Sequence, residues 1–314
     1  MYPRYMIKCR GLTTVVTMLL IVLYLIIYVD YFRQYEDWES YCTLKGDISK
    51  VPSALIGGEH ICNISTHGAE IDTFVLITSA CDHFDARESI RMSWLTIYRN
   101  NSEKLRYAFV LGNTTNERLR MKIQSENEQN KDILQYDYID NYSSLTYKTI
   151  FAFTWIANNC KQAKNIIKTD DDVYLNVPNM LQTIQNPDND LGKYILGECS
   201  HDRHVVRDKQ SKYYISYDVF PFKRYPTFCS GTCYVLSMSA VQEIVNVFAI
   251  TPYFPLEDVY IAMCRIRTTI GVKAVEGIYS YMPSQDVCFY HSKTFISGHQ
   301  LSPTQISAIW RSTC

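Results

Sequence analysis

The order of apolar and polar positions divides the chain into three parts. An uncharged apolar block comes first, then a polar stretch with little periodicity, then a long region where short apolar runs alternate with helical spacing. The block at 11–29 is just long enough to cross a bilayer as a helix, which takes about 20 apolar residues. Arg4, Lys8 and Arg10 precede it, and Asp30, Arg33, Glu36, Asp37 and Glu39 follow. That bias puts residues 1–10 in the cytosol and the rest of the chain in the lumen. No small-x-small cleavage site follows the block, so the pattern predicts an uncleaved type II signal anchor. Residues 30–69, with Gly46, Pro52 and the Gly57-Gly58 pair, read as a lumenal stem, and the folded domain is expected over 70–314.

Within that domain a strand is predicted over 74–79, followed by a helix over 87–98 capped from Asp85. A second strand at 106–111 stops at Gly112. A polar helix at 116–127 and a short strand at 133–134 come next. An apolar helix at 146–158 leads to a strand at 165–169. This alternation predicts an α/β domain with a mostly parallel sheet flanked by helices. The second half is less regular, with strands at 194–199 and 234–237, a helix at 239–249, and another opening at Glu257 after Pro252 and Pro255.

Composition narrows the function classes. The 314 residues are 47% hydrophobic, enough for a sizeable core, and the formal net charge is −1 with no Lys/Arg block. A nucleic-acid partner is therefore excluded on electrostatic grounds. Of the 11 cysteines, Cys9 lies on the cytosolic side and the others face an oxidising compartment, where disulfides persist. Cys229 and Cys233 have no second pair to complete a zinc site. Sequons begin at Asn63, Asn100, Asn113 and Asn141. Most of the 25 tyrosines are expected in the core, and a minority to stack on sugars or bases.

The chemistry concentrates in Lys168-Thr169-Asp170-Asp171-Asp172-Val173-Tyr174, directly after the apolar Ile166-Ile167. Adjacent carboxylates at a strand end repel one another unless a counter-charge intervenes. Hard oxygen ligands suit Mg²⁺ or Mn²⁺, and open α/β sheets bind ligands at the carboxyl ends of their strands. The motif thus predicts a metal site that also holds a phosphorylated ligand; a solvated acidic turn is the alternative. No GxxxxGK[ST] loop is present, so P-loop chemistry has no support. Arg87 and Arg91, four apart, share a helix face suited to phosphate or to ordinary salt bridges. Glu257 and Asp258 sit in apolar surroundings at a helix start, where a desolvated carboxylate serves as general base or merely caps. Ser230-Gly231 reads as a tight turn that brings backbone close to a ligand, or as a hairpin turn beside a structural disulfide.

Six segments occur in one order: R-E-S-I-R-M-S-W (87–94), S-S-L-T-Y-K-T (143–149), K-T-D-D-D-V-Y (168–174), Y-P-T-F-C-S-G-T-C-Y (225–234), L-E-D-V-Y (256–260) and H-Q-L-S-P (299–303). Together they resemble the β1,3-glycosyltransferase family, which holds β1,3-galactosyltransferases, β1,3-N-acetylglucosaminyltransferases and, more distantly, Fringe-like enzymes. The resemblance implies a GT-A-type Rossmann-like fold, a Golgi location, and inverting transfer from a UDP-sugar to an acceptor glycan in a β1,3 linkage. It implies Asp172 and His299 as ligands of Mn²⁺, with His291 as fallback, and Asp170 and Asp171 against the ribose or an outer water. Arg87, Arg91 and Lys148 would surround uridine and diphosphate, with Gly231 close to the ligand. Asp258 would be the base, and Glu257 would orient it or touch the acceptor. Galactose is the expected sugar; N-acetylglucosamine, or a non-catalytic glycan-binding role, is the alternative. Three positions depart from the pattern: Ser144, Cys233 and Ala262, the last two adding bulk that can crowd the acceptor cleft.

Overall fold

The computed structural model describes residues 14–29, 51–62, 71–96 and 104–314. The chain forms two units, Met1–Leu44 and Lys45–Cys314. In the first, residues 14–29 form helix α1, with every residue exposed. Among the described residues no helix is long and apolar enough to cross a membrane. Residues 11–13 of the expected span, and the tail before them, lie outside the described set.

In the second unit the strands are β1 (Ala54–Ile56), β2 (Thr73–Thr78), β3 (Leu105–Asn113), β4 (Ile133–Ile139), β5 (Asn165–Asp170), β6 (Tyr174–Leu175), β7 (Tyr194–Ser200), β8 (Phe228–Ser237), β9 (Gly271–Ala274), β10 (Ile278–Tyr279) and β11 (Ser297–Gly298). Its helices are α2 (Phe84–Arg91), α3 (Glu117–Asn130), α4 (Leu145–Asn159), α5 (Val177–Gln185), α6 (Met238–Val247), α7 (Glu257–Ile266) and α8 (Pro303–Arg311). Eight strands make one sheet in the order β1-β4-β3-β2-β5-β8-β7-β9, and β10-β11-β6 make a small second sheet. The centre, β4-β3-β2-β5, is parallel, as the alternation predicts. Strand β8 then runs antiparallel between β5 and β7. The sheet is therefore mainly parallel with helices on both faces.

β2 explains the register of the whole. All six of its residues are buried, as expected for a central strand covered on both faces. Val75 and Ile77 join a core with Ile90 and Trp94 after β2, Ile123 of α3, Met180 of α5 and Ile306 of α8. Phe74, on the other face, lies 6.0 Å from the Trp155 ring of α4.

Several boundaries differ from the sequence expectation. Part of the expected stem packs on the folded unit: Ala54–Ile56 pairs antiparallel with β4, the Trp155 indole donates to Gly57 O at 2.6 Å, and Cys62 is disulfide-bonded to Cys160. The brevity of the apolar run Ala54–Ile56, set between Pro52 and the Gly57-Gly58 pair, concealed an edge strand. β4 is seven residues long: Asp137–Ile139 are exposed and continue the strand past the buried residues 133–136. β8 begins at Phe228, so Ser230-Gly231 lies within a strand and not in a turn. Cys229 pairs with Cys199 across that strand, and Cys288 with Cys314. Cys233 is a buried thiol facing the core; neither it nor Ala262 lines the main cavity, so neither crowds it.

Candidate active site

The parallel strands β2 and β5 end together, with Thr78 opposite Asp170. Because β8 is antiparallel, its N-terminal half lies at the same edge, and these ends surround a cavity of about 1000 Å³. Thr78–His83, Asp170–Asp172, Phe228, Ser230–Thr232 and the start of α7 all line it. This is the carboxyl edge of the parallel strands, where α/β sheets bind ligands.

The three acidic residues diverge. Asp172, half-buried, meets His299 Nε2 at 3.1 Å. The other ring nitrogen, Nδ1, lies 3.1 Å from Ser280 O, which fixes the imidazole. Gln300 follows with φ 64, a left-handed turn that brings Leu301 N–H to Asp172 O at 3.0 Å. Burial works against a charged His299, but the hydrogen bond and charge of Asp172 outweigh it, and the pKa rises. Ligand atoms of Asp170, Asp172 and His299 lie within 4.8 Å of one another. Two carboxylates and an imidazole at that spacing fit a divalent cation. Asp170 thus stands near Asp172 and His299, where the resemblance implied a place against the ribose or an outer water. Asp171 turns away, accepting from Ser79 Oγ at 2.6 Å and meeting His83 Nδ1 at 2.9 Å. The fallback His291 is not in the site: its Nε2 lies 2.9 Å from Ile309 O.

The arginines are also placed differently. Arg87 is fully buried and pairs with Glu126 of α3 at 2.7 Å. Its guanidinium donates to Ser79 Oγ and Ala80 O at 2.9 and 2.7 Å. Arg91 is held by Asp132 and Glu126, both at 2.8 Å. Neither lines the cavity. The helix starts at Phe84, three residues earlier than expected, and the face that the two arginines share meets Glu126 of α3 and Asp132 after it. Arg87 therefore braces the cavity-lining 79–81 loop from behind. Lys148 does line the cavity; its ammonium donates to Ser79 O at 2.7 Å and pairs with Asp140 at 3.0 Å.

Lys168 joins the halves of the site, a role that sequence reasoning missed. Its ammonium is buried and reaches Asp170 Oδ1 at 2.7 Å, Gly231 O at 2.5 Å and Glu257 Oε2 at 3.7 Å. Burial disfavours that charge, but Asp170 and Glu257 more than compensate and raise its pKa. Glu257 is buried and accepts from the Tyr234 hydroxyl at 2.7 Å. Asp258 is half-buried and faces the cavity, accepting from Gly231 N–H at 3.3 Å and Val259 N–H at 2.9 Å. Burial is the largest influence on both carboxyls and pushes their pKa values up, against Lys168 and those hydrogen bonds. A Cβ on Gly231 would stand 2.7 Å from Glu257 Oε2, so this strand position needs glycine for close approach.

The site can hold a divalent cation, and it presents beside it a desolvated carboxylate whose neighbours fix its direction. The chain matches the Galactosyltransferase family model over residues 85–276. It is 30% identical to human and mouse beta-1,3-galactosyltransferase 1 over 236 residues, 75% of this chain and 72% of theirs. Human beta-1,3-galactosyltransferase 5 matches at 28% over 240 residues, 76% of each chain. Among solved structures, the galactosyltransferase LgtC is a distant likeness, with TM-score 0.41 and 10% identity, covering 77% of this chain and 97% of that one. By its sequence match and its relatives, this chain belongs to the Galactosyltransferase family and is a hexosyltransferase.

Proposed function

We propose that the protein transfers galactose from a UDP-sugar to a hydroxyl of an acceptor glycan with inversion, forming a β1,3 linkage, as a type II membrane protein of the Golgi lumen. The observation that carries this reading is the half-buried Asp258, held at the cavity across from the Asp170–Asp172–His299 set. At that set a bound cation, Mn²⁺ in this reading, supplies positive charge to the departing diphosphate. Lys148 adds a fixed positive charge at the cavity wall, and Arg87 keeps the 79–81 loop in place. Asp258 takes the proton of the acceptor hydroxyl as its oxygen attacks the anomeric carbon. Glu257, tied to Tyr234 and Lys168, orients the start of α7. One displacement needs no covalent enzyme intermediate and no carboxyl pair across a glycosidic bond.

The lumenal assignment draws on the three disulfides. The anchor draws on the charge bias around 11–29 and on the exposed apolar surface of α1, from Val15 to Val29, which favours a lipid environment. Glycans on the lumenal sequons belong to the same reading.

The decisive test is a screen of UDP-galactose and UDP-N-acetylglucosamine with a glycan acceptor panel and Mn²⁺, reading UDP release and product linkage. Galactose in a β1,3 product is expected. A preference for N-acetylglucosamine would replace the donor assignment, and full transfer in excess chelator would remove the metal from it.

A further inference from the structure

Two large rings stand open at the cavity although burial would reward them. Tyr142 is 42% exposed and Tyr213 is 44% exposed, and both line the cavity. A buried aromatic ring removes roughly 150–250 Å² from water, so leaving two uncovered on one wall forgoes considerable stabilisation. Their centroids are 6.3 Å apart at an interplanar angle of 71°. Lys212 Nζ lies 4.9 Å from the Tyr213 ring and 5.6 Å from the Tyr142 ring.

These rings are held on braced loops. The Tyr253 hydroxyl donates to Ser143 O at 2.5 Å, beside Tyr142. Tyr253 itself stacks on Tyr147 at 4.8 Å, and Tyr147 on Tyr138 at 4.4 Å. Across the cavity, Arg207 donates to the carbonyls of Ile215, Phe220 and Phe222, each at 2.7 Å, and so pins the connection that carries Tyr213. Exposed rings on fixed backbone are pre-organised for a ligand. Tyr142, Tyr213, Lys212 and the proposed base Asp258 all line the same cavity.

We infer that Tyr142 and Tyr213, with Lys212 packed on both, form the acceptor platform: a corner that receives the apolar C–H face of a pyranose and presents its hydroxyl to Asp258. The inference rests on the transferase reading and names the site of its second substrate. A ring C–H face and an aromatic face are complementary in polarity, because the aromatic face is negative. Two rings near a right angle contact a sugar on two sides and fix its rotation, which a single ring cannot do.

The test uses the full chain and three probes: methyl β-galactoside, methyl β-N-acetylglucosaminide and methyl β-N-acetylgalactosaminide. Saturation-transfer NMR reads acceptor binding, transfer assays read acceptor KM, and calorimetry reads UDP affinity with Mn²⁺. Tyr213→Ala is expected to raise acceptor KM roughly tenfold and weaken the NMR signal, with UDP affinity unchanged. Tyr213→Phe should keep both acceptor readouts, because the ring carries the contact. If Tyr142→Ala or Tyr213→Ala weakens UDP binding, the rings serve the nucleotide and the inference falls. Unchanged acceptor binding in Tyr213→Ala, or no binding of any probe by the wild-type chain, overturns it as well. Binding without transfer, lost in Tyr213→Ala, would sustain the platform while removing the proposed reaction.

Discussion

Lys168→Met isolates the charge balance on which the site stands. The Lys168 side chain is 6% exposed and its partner Glu257 is 7% exposed, so water cannot replace the lost ammonium. Methionine fills nearly the same volume, which keeps the cavity cost small. Removing one partner of a buried ion pair costs about 3–5 kcal/mol, because the other charge stays behind unpaired. Glu257 has an escape. Lys168 now holds its pKa down against burial and against Asp258; without the ammonium, burial and Asp258 raise it further. A carboxyl whose folded pKa lies above its unfolded value binds more protons in the folded state. Its stabilising effect is full below the unfolded pKa and is lost as pH rises through the folded pKa. The deficit of Lys168→Met should therefore be largest at pH 8 and shrink toward pH 5, by about 1.4 kcal/mol for every pH unit that the Glu257 pKa climbs.

Urea unfolding of both chains at pH 5 and pH 8 reads this directly. Adding Glu257→Gln to Lys168→Met removes the stranded charge and should recover part of the loss at pH 8, a coupling expected of groups in contact. A deficit under about 0.5 kcal/mol at pH 8 would refute the reasoning, since that is the size of an ordinary surface change. So would a deficit that grows as pH falls, because the sign would then belong to a carboxyl with a lowered pKa.

Four other outcomes follow from the same geometry. Gly231→Ala places a methyl against Glu257 Oε2 and should destabilise the chain by about 1–3 kcal/mol and depress turnover more than UDP affinity, as urea unfolding and calorimetry beside kinetics would show. Asp258 must be ionised to act and its pKa is raised, so activity should fall on acidification through a pKa above the ordinary carboxylate value of about 3.9. Asp258→Asn should cut turnover at least ~100-fold with UDP affinity near wild type, while Glu257→Gln costs less in turnover; the reverse order would move the base to Glu257. The buried Cys81 thiol at the cavity is pushed to about 12, so iodoacetamide at pH 8 should leave it unmodified in the folded chain and label it only after unfolding, as peptide mass spectrometry would report.

The parallel centre of the sheet was legible because β2, β3 and β5 are buried on both faces and leave continuous apolar runs. β1 and the end of β4 were not, since a run of three residues is too short to mark a strand and Asp137 interrupts the pattern at the end of β4. The acidic motif pointed to a cluster that a divalent cation fits, because three adjacent carboxylates are costly without a counter-charge. The sequence could not say which of them turns inward. Asp171 leaves the set because Ser79 and His83 claim it, and both precede it by about ninety residues. Arg87 and Arg91 show the limit of helical spacing. Four residues apart predicts a shared face, and they share one; the direction of that face depends on Glu126 and Asp132, which come from α3 and the turn after it. Tyr142 and Tyr213 were two among 25 tyrosines until the loops brought them together.

Three motifs far apart in sequence prove to be parts of one support. Strand β5 brings Lys168 beside Tyr234 of β8, which places the ammonium against the Gly231 carbonyl. Gly231 in turn gives its N–H to Asp258, so one strand residue accepts from Lys168 through its carbonyl and donates to Asp258 through its amide. The same ammonium holds Asp170, a member of the metal set. Asp170 and Asp258 are therefore connected through one buried ammonium and one strand residue. Glycine is required at 231 because Glu257 must approach Lys168 over it, and Tyr234 fixes Glu257 from below. A lysine within the acidic motif, a glycine inside a strand and adjacent acids at a helix start each have ordinary structural readings alone. Joined by these contacts, they hold the Asp170 and Asp258 carboxylates on one support, as the proposed direct displacement between two bound substrates needs.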